Sequence, residues 1–366
     1  MILALGFAAT RLSAAETNVE IQGFSSGSII WTTDLTDANF TIEWASSAEG
    51  PWSNDWNSLY HQSITDATMS VNVPMFFRVA LESLDSEWVT VAEPNNPVDD
   101  TGYGKVWHSY EISKYEINNA QYAEFLNAVD PGGTNPLSLY SANMASHPAG
   151  GIVWDNRMPV GEQYIVKDDM EDKPVVFVSY WDCLRFINWL HNGKGSGGTG
   201  DGAYLLTSVN PANGSVSLKP GANYFMPSED EWYKAAYYDP MLDDYWQYPT
   251  KSDSAPTVAR VDSIGNITND TDSIANYNSG AVWNGQTGNV TTVGSGGPGS
   301  ESPYGVADLG GNAYEWNEGI ISSDYRCVRG GCWYSAAAIL SSTTRQAFSP
   351  DQEFSGVGFR VCRPAP

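Results

Sequence analysis

Four cysteines (Cys183, Cys327, Cys332, Cys362) and four histidines (His61, His108, His147, His191) are the side chains of this sequence best suited to bind a soft metal or attack a substrate. No cysteine pair has C-x-x-C spacing and no histidines form H-E-x-x-H, so a zinc site is not expected. Three cysteines fall in the last 40 residues. A disulfide locking that region is expected in an oxidising compartment, although four cysteines allow three complete pairings and spacing does not choose among them. Around Cys332 only Arg329 is basic within three positions, so no thiolate-stabilising constellation is visible, and a disulfide or buried thiol is expected there. The segment Asp308-Leu-Gly-Gly-Asn-Ala-Tyr-Glu315 places two carboxylates around a Gly-Gly turn. That combination suits calcium, which takes six to eight oxygens from carboxylates and inward-pointing carbonyls. Glu229, Asp230, Glu231, Asp239, Asp243 and Asp244 also crowd one region. Acid–base chemistry would need two of them with separated pKa values in a cleft, and a helix cap with a solvated face is the simpler expectation.

The chain that must position these groups has 366 residues, enough for two modules. Lys plus Arg is 18 against 43 Asp plus Glu, a net charge of −25, which disfavours nucleic acids and anionic membrane surfaces as partners. An aromatic content of 13% excludes a disordered chain, and 35 Gly with 20 Pro point to short elements and many loops. No apolar run is long enough to span a bilayer, so membrane insertion is not expected. Residues 1–15 pair an apolar run with a small-x-small Ser13-Ala14-Ala15 pattern and read as a signal-like segment lacking a basic start. This gives an expected location outside the cell, at its surface or in a periplasm. Five N-x-S/T sequons (Asn39, Asn213, Asn266, Asn269, Asn289) fit exposed loops.

Residues 16–92 carry short alternating runs, among them Val19–Ile21, Ser28–Trp31, Phe40–Trp44, Met69–Val73 and Phe76–Val79, separated by turn-formers. They predict a small antiparallel β-sandwich, with Trp31, Trp44, Trp52 and Trp56 in its core. Residues 93–102 read as a linker. In 103–366 three helices begin at Asn118 with Gln121, Ser179 with Asp182, and Ser228 with Glu231, each cap followed by apolar residues at helical spacing. Beyond residue 240 the chain is rich in Gly, Asn, Ser and Thr, and needs a metal, disulfides or a ligand to hold it rigid.

Six stretches in order then carry a resemblance. They are Lys114-Tyr-Glu-Ile-Asn-Asn-Ala-Gln-Tyr-Ala-Glu-Phe-Leu126, Pro174-Val-Val-Phe-Val-Ser-Tyr-Trp-Asp-Cys183, Tyr224-Phe-Met-Pro-Ser-Glu-Asp-Glu-Trp-Tyr-Lys-Ala-Ala236, Tyr304-Gly-Val-Ala-Asp-Leu-Gly-Gly-Asn-Ala-Tyr-Glu-Trp316, Arg329-Gly-Gly331 and Gly358-Phe-Arg-Val361. Together they resemble the formylglycine-generating enzyme (sulfatase-modifying factor) family. The resemblance implies an α+β, C-type-lectin-like formylglycine-generating-enzyme fold over 103–366, preceded by the small all-β sandwich module. It also implies calcium. Asp308 and Glu315 would give side-chain oxygens, Gly311 and Ala313 backbone oxygens, and a second site would begin at Asn276 with the Tyr277 carbonyl.

The family's oxidase converts a substrate cysteine to formylglycine with two copper-binding cysteines five residues apart. By that resemblance the two positions are Ser335 and Leu340, neither of which supplies the thiolate that copper(I) requires, so copper is not expected. The iron-dependent sulfoxide synthases, another branch of the family, take histidines from a helical domain, whereas the first module here reads as β and offers His61 alone. Relatives also suggest a Cys183–Cys362 bridge, with Cys327 paired to Cys332 or Cys362 as its competitor. The sequence therefore reads as a secreted, calcium-stabilised, non-catalytic binding or structural protein. Its ligand-binding surface would run from Trp333 to Glu353 through Trp333, Tyr334, Ser335, Arg345, Gln346, Phe348 and Asp351. A protein, a glycan or copies of itself would be the partner. The alternative is a sulfatase-modifying oxidoreductase or another metal-dependent enzyme of the same family. The fold is also used by variable proteins of diversity-generating retroelements, between similar R-G-G and G-F-R anchors.

Overall fold

The computed structural model describes residues 86–206 and 215–366 in full, and before them the backbone of six strands. The chain divides into two compact units, Met1–Ser83 and Leu84–Pro366. In the first, β1 (Val19–Ser25) pairs with β2 (Ser28–Thr33), β3 (Phe40–Ala45) with β6 (Phe76–Leu81), and β4 (Gln62–Thr65) with β5 (Thr68–Val71), all antiparallel. The signal-like segment 1–15, His61 and the side chains of Trp31, Trp44, Trp52 and Trp56 lie outside the described residues, as does the packing of these ladders into a sandwich.

The second unit is a mixed α/β body with few helices and several small sheets. It begins earlier than the sequence suggests. Strand β7 (Trp88–Val91) pairs with β8 (Tyr110–Ser113), and β8 with β19 (Cys362–Pro364), so the stretch assigned to the end of the first module is an edge of the second. Residues 93–102 are likewise no free linker. Lys234 Nζ donates to the carbonyl of Glu93 at 2.7 Å, Asn95 N to Val106 O at 2.7 Å, and Asn96 Nδ2 to Gly104 O at 2.7 Å. Backbone polar groups tied down in this way fix a segment whose composition alone reads as flexible.

The three expected caps are the caps of α1 (Asn119–Val129), α3 (Tyr180–His191) and α4 (Glu229–Tyr237), and each is a reciprocal capping box. In α4, Ser228 Oγ accepts from Glu231 N at 3.2 Å while Ser228 N donates to Glu231 Oε2 at 2.7 Å. A short α2 (Ala142–Ser146) and a hairpin of β9 (Ile152–Trp154) with β10 (Tyr164–Val166) lie between α1 and α3. Phe125 of α1 and Phe186 of α3 meet at 5.4 Å, and Phe186 meets Phe359 at 5.3 Å, which draws the G-F-R segment into the core.

After α4 come β11 (Tyr238–Asp239), β12 (Asp244–Tyr245), β13 (Thr257–Val258) and β14 (Ile274–Ala275), each two residues long. The main sheet has the order β17 (Gln346–Phe348), β16 (Tyr325–Arg329), β15 (Tyr314–Ser322), β18 (Val357–Gly358), with β15 and β18 parallel. All four cysteines are buried free thiols, so none of the proposed disulfides rigidifies the region beyond residue 240. A buried amide network does that work. Asn276 Nδ2 donates to Asn289 O at 2.8 Å, and Asn312 Oδ1 accepts from Thr291 N at 2.8 Å. Asn312 Nδ2 reaches Glu116 Oε2 at 2.9 Å. Asn289, expected on an exposed loop, is fully buried in this network.

Candidate functional site

The family-like motifs converge on one buried centre. Arg360 Nε and Nη2 each donate to Glu315 at 2.6 Å, and Trp232 Nε1 donates to Glu315 Oε2 at 2.6 Å. Arg360 also donates to the carbonyls of Ser113 at 2.8 Å, Lys114 at 3.1 Å and Ala307 at 3.0 Å. Glu116 stands beside this pair, accepting from Ala313 N at 3.1 Å. Three acids, Glu116, Asp308 and Glu315, thus share one buried guanidinium. Burial pushes Glu116 well above the usual carboxylate range and Asp308 to about 6, with Glu315 adding to both shifts. The sequence singled out Asp308 and Glu315 but missed Glu116 and Arg360. The signal available for them was a charged residue set inside an otherwise apolar motif.

This arrangement changes the expected calcium site. Glu315 offers no open oxygen: one takes Arg360 alone and the other takes Arg360 and Trp232. Asp308, at φ +59°, accepts from Gly294 N. Gly311, at φ +91°, is required to be glycine, since a Cβ there would lie 2.3 Å from Asn276 O. Of the four expected calcium residues Asp308, Gly311, Ala313 and Glu315, Glu315 is therefore committed to protein donors as arranged. Asn276 differs: its Oδ1 is buried with no hydrogen-bond partner among the described residues, an open acceptor of the kind a cation satisfies. The neighbouring Tyr277 carbonyl accepts from Gly280 N at 3.1 Å.

The two positions aligned with the family's copper ligands do face a common point. A Cβ built on Gly331, at φ +77°, would lie 2.7 Å from Leu340 Cδ1 and 3.4 Å from Ser335 Cβ. Leu340 is fully buried with Tyr248, Ala275 and Tyr277 in a satellite core. Ser335 Oγ takes Cys332 N at 3.0 Å and donates to Tyr314 Oη at 3.2 Å. Cys332 Sγ lies 3.4 Å from Ser335 Oγ, and burial pushes this thiol up, away from the reactive thiolate. No group of three or more His, Cys, Asp or Glu able to hold a metal is formed among the described residues.

Of the expected recognition surface, Trp333 is buried with its Nε1 on Ser355 O at 3.0 Å, whereas Tyr334 is 44% exposed and meets Trp333 edge-on at 4.6 Å. Phe348 packs on Tyr314 at 5.8 Å and Phe354 at 5.1 Å. Arg345 is not a free arm. Its Nε donates to Glu229 Oε1 at 2.8 Å, beside Arg329, which pairs with the same oxygen at 2.6 Å. The segment therefore splits into an aromatic group around Tyr314 and a clamp in which Arg345, partly exposed, joins the buried Glu229–Arg329 pair.

With this geometry in place, the chain belongs to the sulfatase-modifying factor enzyme 1-like domain family, whose domain matches residues 86–365. Among curated proteins, a hercynine oxygenase of Mycolicibacterium thermoresistibile is 24% identical over 282 residues, covering 68% of this chain and 50% of its own length. A hercynine oxygenase of Mycolicibacterium smegmatis is 23% identical over the same length, covering 68% of this chain and 52% of its own. The chain thus spans about half the length of these relatives. Among solved structures, CarF covers 77% of this chain and 100% of its own, with 18% identity and a TM-score of 0.48.

Proposed function

We propose that this chain is a non-catalytic binding or structural member of the family, working outside the cell, at its surface or in a periplasm, with a protein, a glycan or copies of itself as partner. The observation that carries this reading is the filling of the two copper positions by a hydrogen-bonded serine and a core leucine, Ser335 and Leu340. Copper(I) is held by soft sulfur ligands, and a hydroxyl and an isobutyl group offer none. The exposed Tyr334, braced by the buried Trp333, supports a recognition role for that loop. Calcium remains part of the proposal at Asn276 and Tyr277, where the open Oδ1 supports it. A melting midpoint that does not move with a chelator removes that element.

The test of the whole is incubation with copper(I), dioxygen and a cysteine-containing sulfatase peptide. The wild-type chain is expected to form no aldehyde, and an aldehyde formed at catalytic turnover overturns the reading. A second reading, an oxidoreductase, is favoured by the relatives named hercynine oxygenase. It would have to draw its metal ligands from elsewhere than the Ser335–Leu340 pair.

A further inference from the structure

On another part of the second unit, a cleft of about 600 Å³ opens beside the N-terminus of α4 and the end of β19. Phe225, Leu218 and Pro220 supply apolar wall, while His108, Glu231 and Glu318 bring ionisable groups to the same space. The two acids are held differently. Glu231 is engaged on both oxygens: Oε2 takes the backbone of Ser228 at 2.7 Å, and Oε1 pairs with His108 Nε2 at 2.9 Å. Glu318 is mostly buried and accepts one side-chain hydrogen bond, from Tyr204 Oη to Oε1 at 2.6 Å. Its carboxylate enters no ion pair among the described residues. The nearby Arg326 guanidinium donates to the Glu318 backbone carbonyl and lies over the Tyr180 ring at 4.6 Å. Lys219, the basic residue of the cleft lining, pairs with Asp201.

We propose that this cleft is a binding site for a small alkylammonium ion, its charged end on Glu318 and its hydrocarbon against Phe225, Leu218 and Pro220. A carboxylate set into a partly apolar wall, with one oxygen lacking a donor, is completed by a charge-assisted N⁺–H···O⁻ bond. The adjoining methylenes of an amine then gain from leaving water. A neutral alcohol of equal length gains only the second part. A carboxylate ligand would meet two acids, and His108, Glu231 and Glu318 are not arranged as a group able to hold a metal ion among the described residues. Burial, with Glu231 adding to it, pushes Glu318 up to about 7, against the opposing Tyr204 hydrogen bond and Arg326 charge. The group is thus half ionised near neutrality, and ammonium binding strengthens as pH rises through that value and Glu318 sheds its proton. His108, raised by its hydrogen bond to Glu231, likewise loses its own competing charge as pH rises.

The experiment is isothermal titration of the full chain with 1-aminopentane and, separately, 1-pentanol, at pH 6 and pH 8 (about one unit either side of the Glu318 value). The amine is expected to bind saturably with a Kd of about 1 mM, at least tenfold more tightly than the alcohol, and more tightly at the higher pH. Glu318→Gln keeps an acceptor for Tyr204 and is expected to weaken the amine at least tenfold while its circular dichroism and melting stay those of a folded protein. Lys219→Met, which removes the rim's positive charge, is expected to tighten binding. Absence of saturable heat with the amine, equal binding of amine and alcohol, or undiminished amine binding by a folded Glu318→Gln variant each overturns the proposal.

Discussion

Replacing Arg360 by methionine removes the cation from the centre where four of the motifs meet. Methionine keeps the length of the apolar stem but none of the donors. The structure sets the cost. The guanidinium makes two hydrogen bonds to Glu315 and three to backbone carbonyls, all inside a fully buried site. Its loss strands a carboxylate already crowded by Glu116 and Asp308. Removing one partner of a buried pair costs about 3–5 kcal/mol, because the remaining charge stays desolvated without compensation. For a unit of this size that corresponds to a melting shift of about 10 °C. The matching control is Arg363→Met on the edge strand β19, where the arginine is about a third exposed and pairs with Glu111 of β8. There a loss within about 1 kcal/mol is expected. Urea unfolding followed by tryptophan fluorescence reports on both, since Trp232 and Trp316 lie in the same core. Adding Glu315→Leu to Arg360→Met is expected to cost less than the sum of the two single changes. If Arg360→Met and Arg363→Met prove equally mild, the motif residues are not the hub of this fold.

Two further outcomes follow from buried groups. All four cysteines are buried free thiols, so a thiol reagent added to native protein is expected to modify none, and four after denaturation. A count of two or fewer after non-reducing denaturation would show a disulfide. Burial pushes Asp182 up to about 7, against the opposing hydrogen bonds from Ser179. The native state then keeps a proton that the unfolded chain has already released. Asp182 therefore makes stability fall as pH rises from about 4 to about 7, with no further change above. Asp182→Asn is expected to flatten that part of the urea-midpoint profile, and an unchanged slope contradicts the assignment.

The helices were legible because capping is local. Asn118, Ser179 and Ser228 each answer a partner three residues on, so sequence spacing alone carries the geometry. Glu315 was legible as important and misleading as to role. An acid beside a Gly-Gly turn reads as a cation ligand until Arg360, 45 residues later, is brought onto it by the parallel pairing of β15 with β18. The 93–102 segment failed for a related reason: two prolines and three acids signal a linker, and nothing local reveals that Lys234 and Tyr245 hold it. The region beyond residue 240 called for a staple. The staple is a set of asparagine amides, whose partners are too distant in sequence for spacing to show.

Copper(I) titration against a chromophoric chelator asks most directly whether the framework around Gly331 holds a reaction centre. The wild-type chain is expected to remove no stoichiometric copper from the chelator, and the Ser335→Cys, Leu340→Cys double variant to remove one ion per chain. One equivalent of tightly held copper(I) on the wild-type protein, lost on Cys332→Ala, would contradict that expectation.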